Sequence, residues 1–98
     1  MKPWVPYRDD LLRRLKDPKY AAAYLTACLE DDDDGDGGFL LALRDVADAQ
    51  GGVRALAKRT GLNREHLFRM LSKSGNPQLH SLRQLAEAVG MKLVLQPA

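Results

Sequence analysis

The chain has 98 residues, of which 45% are hydrophobic, and one cysteine. Residues 1–50 contain seven basic and eleven acidic residues, a net charge of −4, whereas residues 51–98 contain eight basic and two acidic residues, a net charge of +6. This size suits one small domain and excludes a large enzyme. The sequence has no signal-peptide pattern, no apolar run of roughly 20 residues and no internal disulfide, so we expect a cytoplasmic protein without a membrane partner. The basic second half favours a polyanionic partner, because its binding releases condensed counterions.

Two helices are predicted in the acidic first half. After Trp4 and Tyr7, which lie beside two prolines, residues 8–15 predict a short helix with leucines on its inner side. Asp17 and Pro18 end it and begin a second helix to about residue 31, since proline is favoured in a first turn. Its apolar face consists of Tyr20, Ala21, Tyr24, Leu25, Cys28 and Leu29. The acidic and glycine-rich residues 30–38 then predict a mobile loop.

The side chains that catalysis or metal binding would need are poorly placed in this sequence. Asp31 to Asp34 could attract a divalent cation, but the alternating ligands and trailing glutamate of a calcium loop are absent. His66 and His80 are the only histidines, and no zinc or thiol-imidazole spacing includes them. We therefore expect a protein that is not an enzyme and has no metal or other cofactor.

A core helix is predicted over residues 39–50. It is followed by the most informative pattern in the chain, two short helices joined by a glycine. Residues 53–59 repeat apolar side chains at helical spacing, and Gly61 can adopt the positive φ of a sharp turn. Asn63 is a favoured first residue for a second helix that runs to about Leu71. Leu67, Met70 and Leu71 face inward in this helix. The pattern is typical of a DNA-binding helix-turn-helix.

The C-terminal part predicts one more helix and a strand. Residues 74–77 form a turn, and residues 79–89 predict a helix with Leu79, Leu82, Leu85, Ala86 and Val89 inward. Residues 91–96 alternate and are rich in branched side chains, which predicts a short β-strand. A single strand is not stable alone, so we expect it to pair with a second copy or with a partner. We divide the chain into an N-terminal helical segment, 1–34, and a helix-turn-helix domain, 35–98.

The second helix of the pair is the predicted recognition helix, since such a helix enters the major groove. The candidates for contacts with base edges are Arg64, Glu65, Phe68 and Arg69. Arginine suits guanine, glutamate can accept from cytosine, and an aromatic ring can touch a thymine methyl group. Alternatives remain open: the arginines as solvated surface, Glu65 as part of the helix cap, and Phe68 in core or dimer packing.

Phosphate contacts are expected from residues that flank the recognition helix, because such groups position a reader on the duplex. The candidates are Arg54, Asn63, Ser72, Lys73, Ser74 and Asn76.

Residues 7–96 resemble the HigA-like addiction-module antidote proteins, antitoxins of the lambda-repressor-like helix-turn-helix class. The resemblance is carried by residues 22–25, 30–34, 45–47, 52, 56–62, 64–65, 71–72 and 75–77 and by the closing hydrophobic segment. It implies an all-α fold, five to six helices with the short C-terminal β-strand, and a homodimer that represses its own operon by binding double-stranded operator DNA. It also implies neutralisation of a RelE/ParE-like toxin by direct contact, with which an acidic half is compatible.

Two other functions stay open. One is a phage-type helix-turn-helix repressor without a toxin partner. The other is a protein-interaction module that uses Tyr20, Tyr24 and the acidic loop.

Overall fold

The structure, a computed structural model, describes residues 7–31 and 35–98, and these residues form six α-helices. The helices are α1 (Tyr7–Arg14), α2 (Pro18–Glu30), α3 (Asp36–Ala49), α4 (Gly52–Thr60), α5 (Arg64–Met70) and α6 (Leu79–Ala88). Within those two ranges, no helix combines the length and apolar character that crossing a bilayer demands. The predictions that concern Trp4 and Asp32 to Asp34 lie outside the described residues.

The start of α2 follows the predicted pattern of a capped helix with an early proline. Asp17 is the N-cap, and its Oδ1 accepts a hydrogen bond from the backbone N–H of Lys19 at 3.0 Å. Pro18 occupies the first turn, where its missing N–H costs nothing. The buried face of α2 is narrower than predicted, because Ala21 and Leu25 are buried whereas Leu29 is 56% exposed.

An ionic and hydrogen-bonded cluster ties the first three helices together. The Arg8 guanidinium on α1 contacts Asp45 on α3 at 2.9 Å and also reaches Asp48, one turn further along α3. The Tyr24 hydroxyl on α2 donates a hydrogen bond to the other carboxylate oxygen of Asp45 at 2.9 Å. Asp45 is therefore shared by α1 and α2.

Helix α3 begins three residues earlier than predicted, at Asp36 instead of Phe39. Asp36 lies in the first turn, where a negative charge is favourable at the positive end of the helix dipole. Gly37 is buried, and a side chain there would overlap the backbone carbonyl of Lys73 and approach its Cγ to 2.8 Å. Gly37, which was part of the predicted loop, instead permits close packing of α3 on the turn after α5.

One hydrophobic core is shared by the helices. Its fully buried side chains include Leu15, Leu43, Val46, Leu56, Leu67, Leu71 and Leu85. Residues on both sides of the predicted boundary between positions 34 and 35 contribute to this core. Leu67, Met70 and Leu71 are buried as predicted, whereas Leu79, predicted inward, is 69% exposed.

The predicted C-terminal β-strand over residues 91–96 is wrong. The chain after α6 has no regular secondary structure, and none of the residues that the structure describes forms a strand. The N–H of Met91 bonds back to the carbonyl of Ala86 at 2.8 Å, which closes the end of α6. A strand needs a neighbouring strand for its hydrogen bonds, and the described part of this chain offers none.

Candidate nucleic-acid interface

The turn between α4 and α5 is held by backbone and side-chain hydrogen bonds. Gly61 has φ +73°, a left-handed conformation that favours glycine, and its N–H donates to the carbonyl of Ala57 at 2.8 Å. The Thr60 hydroxyl donates to the carbonyl of Leu56 at 2.8 Å and accepts from the N–H of Leu62 at 3.2 Å. Gln84 on α6 donates to the Thr60 carbonyl at 2.9 Å. The turn is thus fixed from both the helix pair and α6.

Asn63 caps α5, as its residue type predicts. Its Oδ1 accepts hydrogen bonds from the N–H groups of Glu65 at 2.7 Å and His66 at 3.3 Å. This capping uses the side-chain oxygen and leaves the amide nitrogen as the group that could donate to a phosphate. A role for Asn63 in phosphate binding stays a prediction.

The outer face of α5 carries the four side chains predicted to read bases. Arg64, Glu65, Phe68 and Arg69 are all exposed, while Leu67 on the opposite face is fully buried. Burial of that opposite face fixes the rotation of α5 about its axis. The four candidate side chains are therefore accessible on the surface, and their contacts with DNA bases stay predictions.

Phe68 has a neighbour that sequence reasoning missed. The Arg44 guanidinium on α3 lies over the Phe68 ring, with 4.8 Å from Cζ to the ring centroid, in a cation–π contact. Phe68 itself remains 43% exposed. The ring is thus partly covered by its own chain. No pattern in the sequence connects positions 44 and 68, because the contact depends on how the fold places α3 relative to α5.

Three of the predicted phosphate-binding residues lie together just beyond the C-terminal end of α5. Ser72, Ser74 and Asn76 line an open pocket of about 450 Å³ together with Arg69 and His66. The Ser72 hydroxyl donates to the Arg69 carbonyl at 2.8 Å. His66 is exposed on α5, and its spacing of three residues from Arg69 places both side chains on one side of the helix.

The remaining predicted phosphate contacts lie at separate points of the same half. Arg54 is exposed in the first turn of α4, next to the helix N-terminus where backbone N–H groups also favour an anion. Lys73 is exposed in the turn that packs on Gly37. The structure therefore does not gather all six predicted residues in one pocket.

The arginines of α4 and α5 take no part in the ion pairs between described residues. Of the ion pairs among residues 7–31 and 35–98, two join α1 to α3 and two lie within α1, and none includes Arg54, Arg64 or Arg69. Glu65 and Glu87 are the only acidic residues after position 50. The helix pair thus presents positive charge that the described residues do not neutralise.

Within 7–31 and 35–98, no three His, Cys, Asp or Glu side chains gather closely enough to hold a metal ion. Cys28 is half-buried against the core, and burial, with Asp31 and Asp45 nearby, raises the pKa of its thiol. A thiol with a raised pKa is a poor nucleophile, which fits a packing residue.

The described residues form a helical domain in which the short helix α5 is capped, exposed and cationic. Comparison with protein families gives the class: residues 7–97 match the model of the family described as "probable addiction module antidote protein". The match covers nearly the whole chain, and the chain belongs to this family of antitoxins, whose partners are in general toxins. Searches of curated proteins and of solved structures returned no match.

Proposed function

We propose that this antitoxin is a HigA-like protein of the lambda-repressor-like helix-turn-helix class, which binds operator DNA through α4 and α5 and represses its own operon. The observation that carries the proposal is the exposed arginine face of α5, with Arg64 and Arg69 outside every described ion pair. The turn at Gly61 and the cap at Asn63 hold that face in a fixed orientation. Preorganised side chains lose less entropy when they meet base edges.

In this proposal the protein acts by binding its partners and not by catalysis. It acts as a homodimer, whose two recognition helices lie ~34 Å apart so that each enters the major groove on one side of the duplex. In the cytoplasm it neutralises a RelE/ParE-like toxin by direct contact. Such a toxin is a small basic protein, and the acidic first half of the chain, with net charge −4, supports a complementary encounter.

The DNA-binding part is tested by changing one arginine of α5 at a time. Arg64→Ala or Arg69→Ala should each reduce the preference for the DNA upstream of the gene over a scrambled fragment by ~1 to 3 kcal/mol, because each removes one bidentate contact with a base. A mobility-shift titration measures this preference. Arg13→Ala, which removes the same charge from an exposed site on α1, is the control and should leave the preference unchanged.

Unchanged discrimination in both α5 variants would reject the reading role of this helix. The toxin-binding part has its own test, since we expect the neighbouring reading frame to encode the toxin. Binding of operator DNA without binding of that neighbour's product would favour the alternative, a phage-type repressor without a toxin partner.

A further inference from the structure

An open apolar groove lies between α2, α3 and the C-terminal segment. Its floor is formed by Leu25 on α2 together with Phe39 and Leu43 on α3, and its walls by Leu29 and residues 91–96. The space is about 310 Å³. No residue of α4 or α5 is among its lining residues. The groove is therefore separate from the candidate DNA-binding face.

Large apolar side chains are exposed along this groove. Leu29 is 56% exposed, Leu93 42%, Val94 68% and Leu95 102%. Single exposed apolar side chains are ordinary, but several that line one concave surface mark a contact site, because their exposure to water is unfavourable. The clustering of such side chains along one groove indicates a contact surface for a protein partner.

Charge at the edge of the groove limits the kind of partner. Glu30 lines the groove at the C-terminal end of α2, which is the negative end of the helix dipole. The sequence from residue 30 to residue 36 contains six acidic residues and no basic one. Lys92 is the only basic residue among those that line the groove. An apolar projection flanked by lysine or arginine is the complementary surface.

We propose that this groove is the docking site for the toxin, which inserts an apolar projection between α2 and the C-terminal segment while its basic surface faces the acidic end of α2. The inference rests on the proposed function, since it assigns a surface to the neutralised toxin. The groove lining includes no residue of α5, so the proposed toxin site does not overlap the candidate DNA-binding face.

The test compares identical leucine-to-glutamine changes inside and outside the groove. The variant Leu29→Gln/Leu95→Gln changes two exposed groove positions, and Leu79→Gln changes a similarly exposed position on α6 outside it. The probe is the purified product of the neighbouring reading frame, titrated by calorimetry. We expect the groove variant to bind it about tenfold or more weakly and the control to bind like wild type. Circular dichroism and operator binding should be unchanged in both.

The outcomes separate this inference from the proposed function. If wild type does not bind the probe, proposed neutralisation of that protein fails, and the inference fails with it. If wild type binds and the groove variant binds equally well, only the groove assignment is overturned. The single variant Glu30→Gln should bind the probe with a slower association rate, mainly at low salt, since it removes one attractive charge.

Two other occupants of the groove would also overturn the proposal. A second copy of this chain would be indicated if the groove variant, without the probe, loses a dimer that wild type and Leu79→Gln retain by light scattering. The chain's own first six residues would be indicated if the groove variant alone shifts the fluorescence of Trp4, the only tryptophan. Unchanged mass and unchanged emission, with weakened probe binding, support the toxin.

Discussion

At the scale of single residues, Phe68 shows how a neighbour changes what a side chain can do. Arg44 covers one part of the ring at 4.8 Å, while 43% of the residue remains exposed. A cation over an aromatic face contributes about 0.5 to 1 kcal/mol at an exposed site. The contact therefore favours one orientation of the ring and leaves the remaining edge for the proposed contact with DNA.

Tyr24 is the residue with the clearest electrostatic constraint. Its hydroxyl is partly buried and donates a hydrogen bond to Asp45. Burial first, and then the hydrogen bond and negative charge of Asp45, raise the pKa of Tyr24 well above its ordinary value. The folded protein thus holds the phenolic proton more tightly than the unfolded chain does, which makes stability depend on pH.

Replacing Tyr24 by phenylalanine should reveal this dependence. At neutral pH we expect Tyr24→Phe to lower the free energy of unfolding by about 1 kcal/mol, the usual worth of one such hydrogen bond. The contribution of the tyrosine is complete below about pH 10, its unfolded pKa, and decreases as the pH rises toward the higher folded pKa. The difference between wild type and variant should therefore narrow above about pH 10.

Urea unfolding at a series of pH values measures that difference. Tyr20→Phe, at an exposed position on the same helix, is the matched control and should behave like wild type throughout. A difference that stays constant or widens at high pH would contradict the assigned role of the Tyr24 proton.

At the scale of elements, the stability of α5 depends more on its surroundings than on the helix propensity of its own residues. It has seven residues, and isolated helices shorter than about 12 to 15 residues are marginal in water. Two external supports compensate for its length: the Asn63 cap at its start and the burial of Leu67 and Met70 against the core. The candidate reading face is thus only as rigid as these supports.

Removing the cap should therefore weaken both folding and DNA binding. Asn63→Ala should lower the free energy of unfolding by about 1 kcal/mol, because two N–H groups of the first turn lose their acceptor. Asn63→Ser retains a capping oxygen and should stay within a few tenths of a kcal/mol of wild type. Denaturant midpoints and operator titrations measure the two effects. Equal stability of the alanine and wild-type proteins would show that the cap does not support α5.

Local chemistry in the sequence predicts most of the helices. Asp17 with Pro18 predicts the start of α2, Gly61 the turn, and Asn63 the start of α5, because each acts through its immediate neighbours. The early start of α3 was missed, since the reason for Gly37 lies 36 residues away at Lys73. The strand was predicted from alternation alone, although pairing decides whether such a segment becomes a strand.

The candidate site shows the same limit. The exposure of Arg64 and Arg69 follows from helical periodicity once Leu67 is taken as buried. Arg44 over Phe68 could not be predicted in this way, since the contact depends on where the fold places α3 relative to α5. Sequence reasoning thus gave the face of each helix and missed the contacts between faces.

At the scale of the whole molecule, opposite charges are separated along the chain. The ion pairs between described residues belong to α1 and α3, and the cations of α4 and α5 stay outside them. If this surface binds DNA as proposed, release of condensed counterions contributes to the affinity, and salt weakens the complex. The candidate phosphate contacts should differ from the base contacts in this respect.

Arg54→Ala should therefore weaken binding to the operator and to unrelated DNA by the same factor. It should also reduce the slope of log K against log salt concentration by about one, because one phosphate contact is lost. Titrations at several salt concentrations measure the slope, with Arg13→Ala as the control. A loss confined to the operator would mean that Arg54 contacts a base and not a phosphate.

The close approach at Gly37 has a consequence for engineering new partner specificity. If the acidic stretch from residue 30 to residue 36 meets the toxin as proposed, randomised libraries of it would alter toxin recognition, and the sequence sets no visible border between that stretch and α3. The carbonyl of Lys73 sets one, since even a methyl group at position 37 would collide with it. Diversity can extend through Asp36, while position 37 must be held as glycine if the turn after α5 is to keep its place.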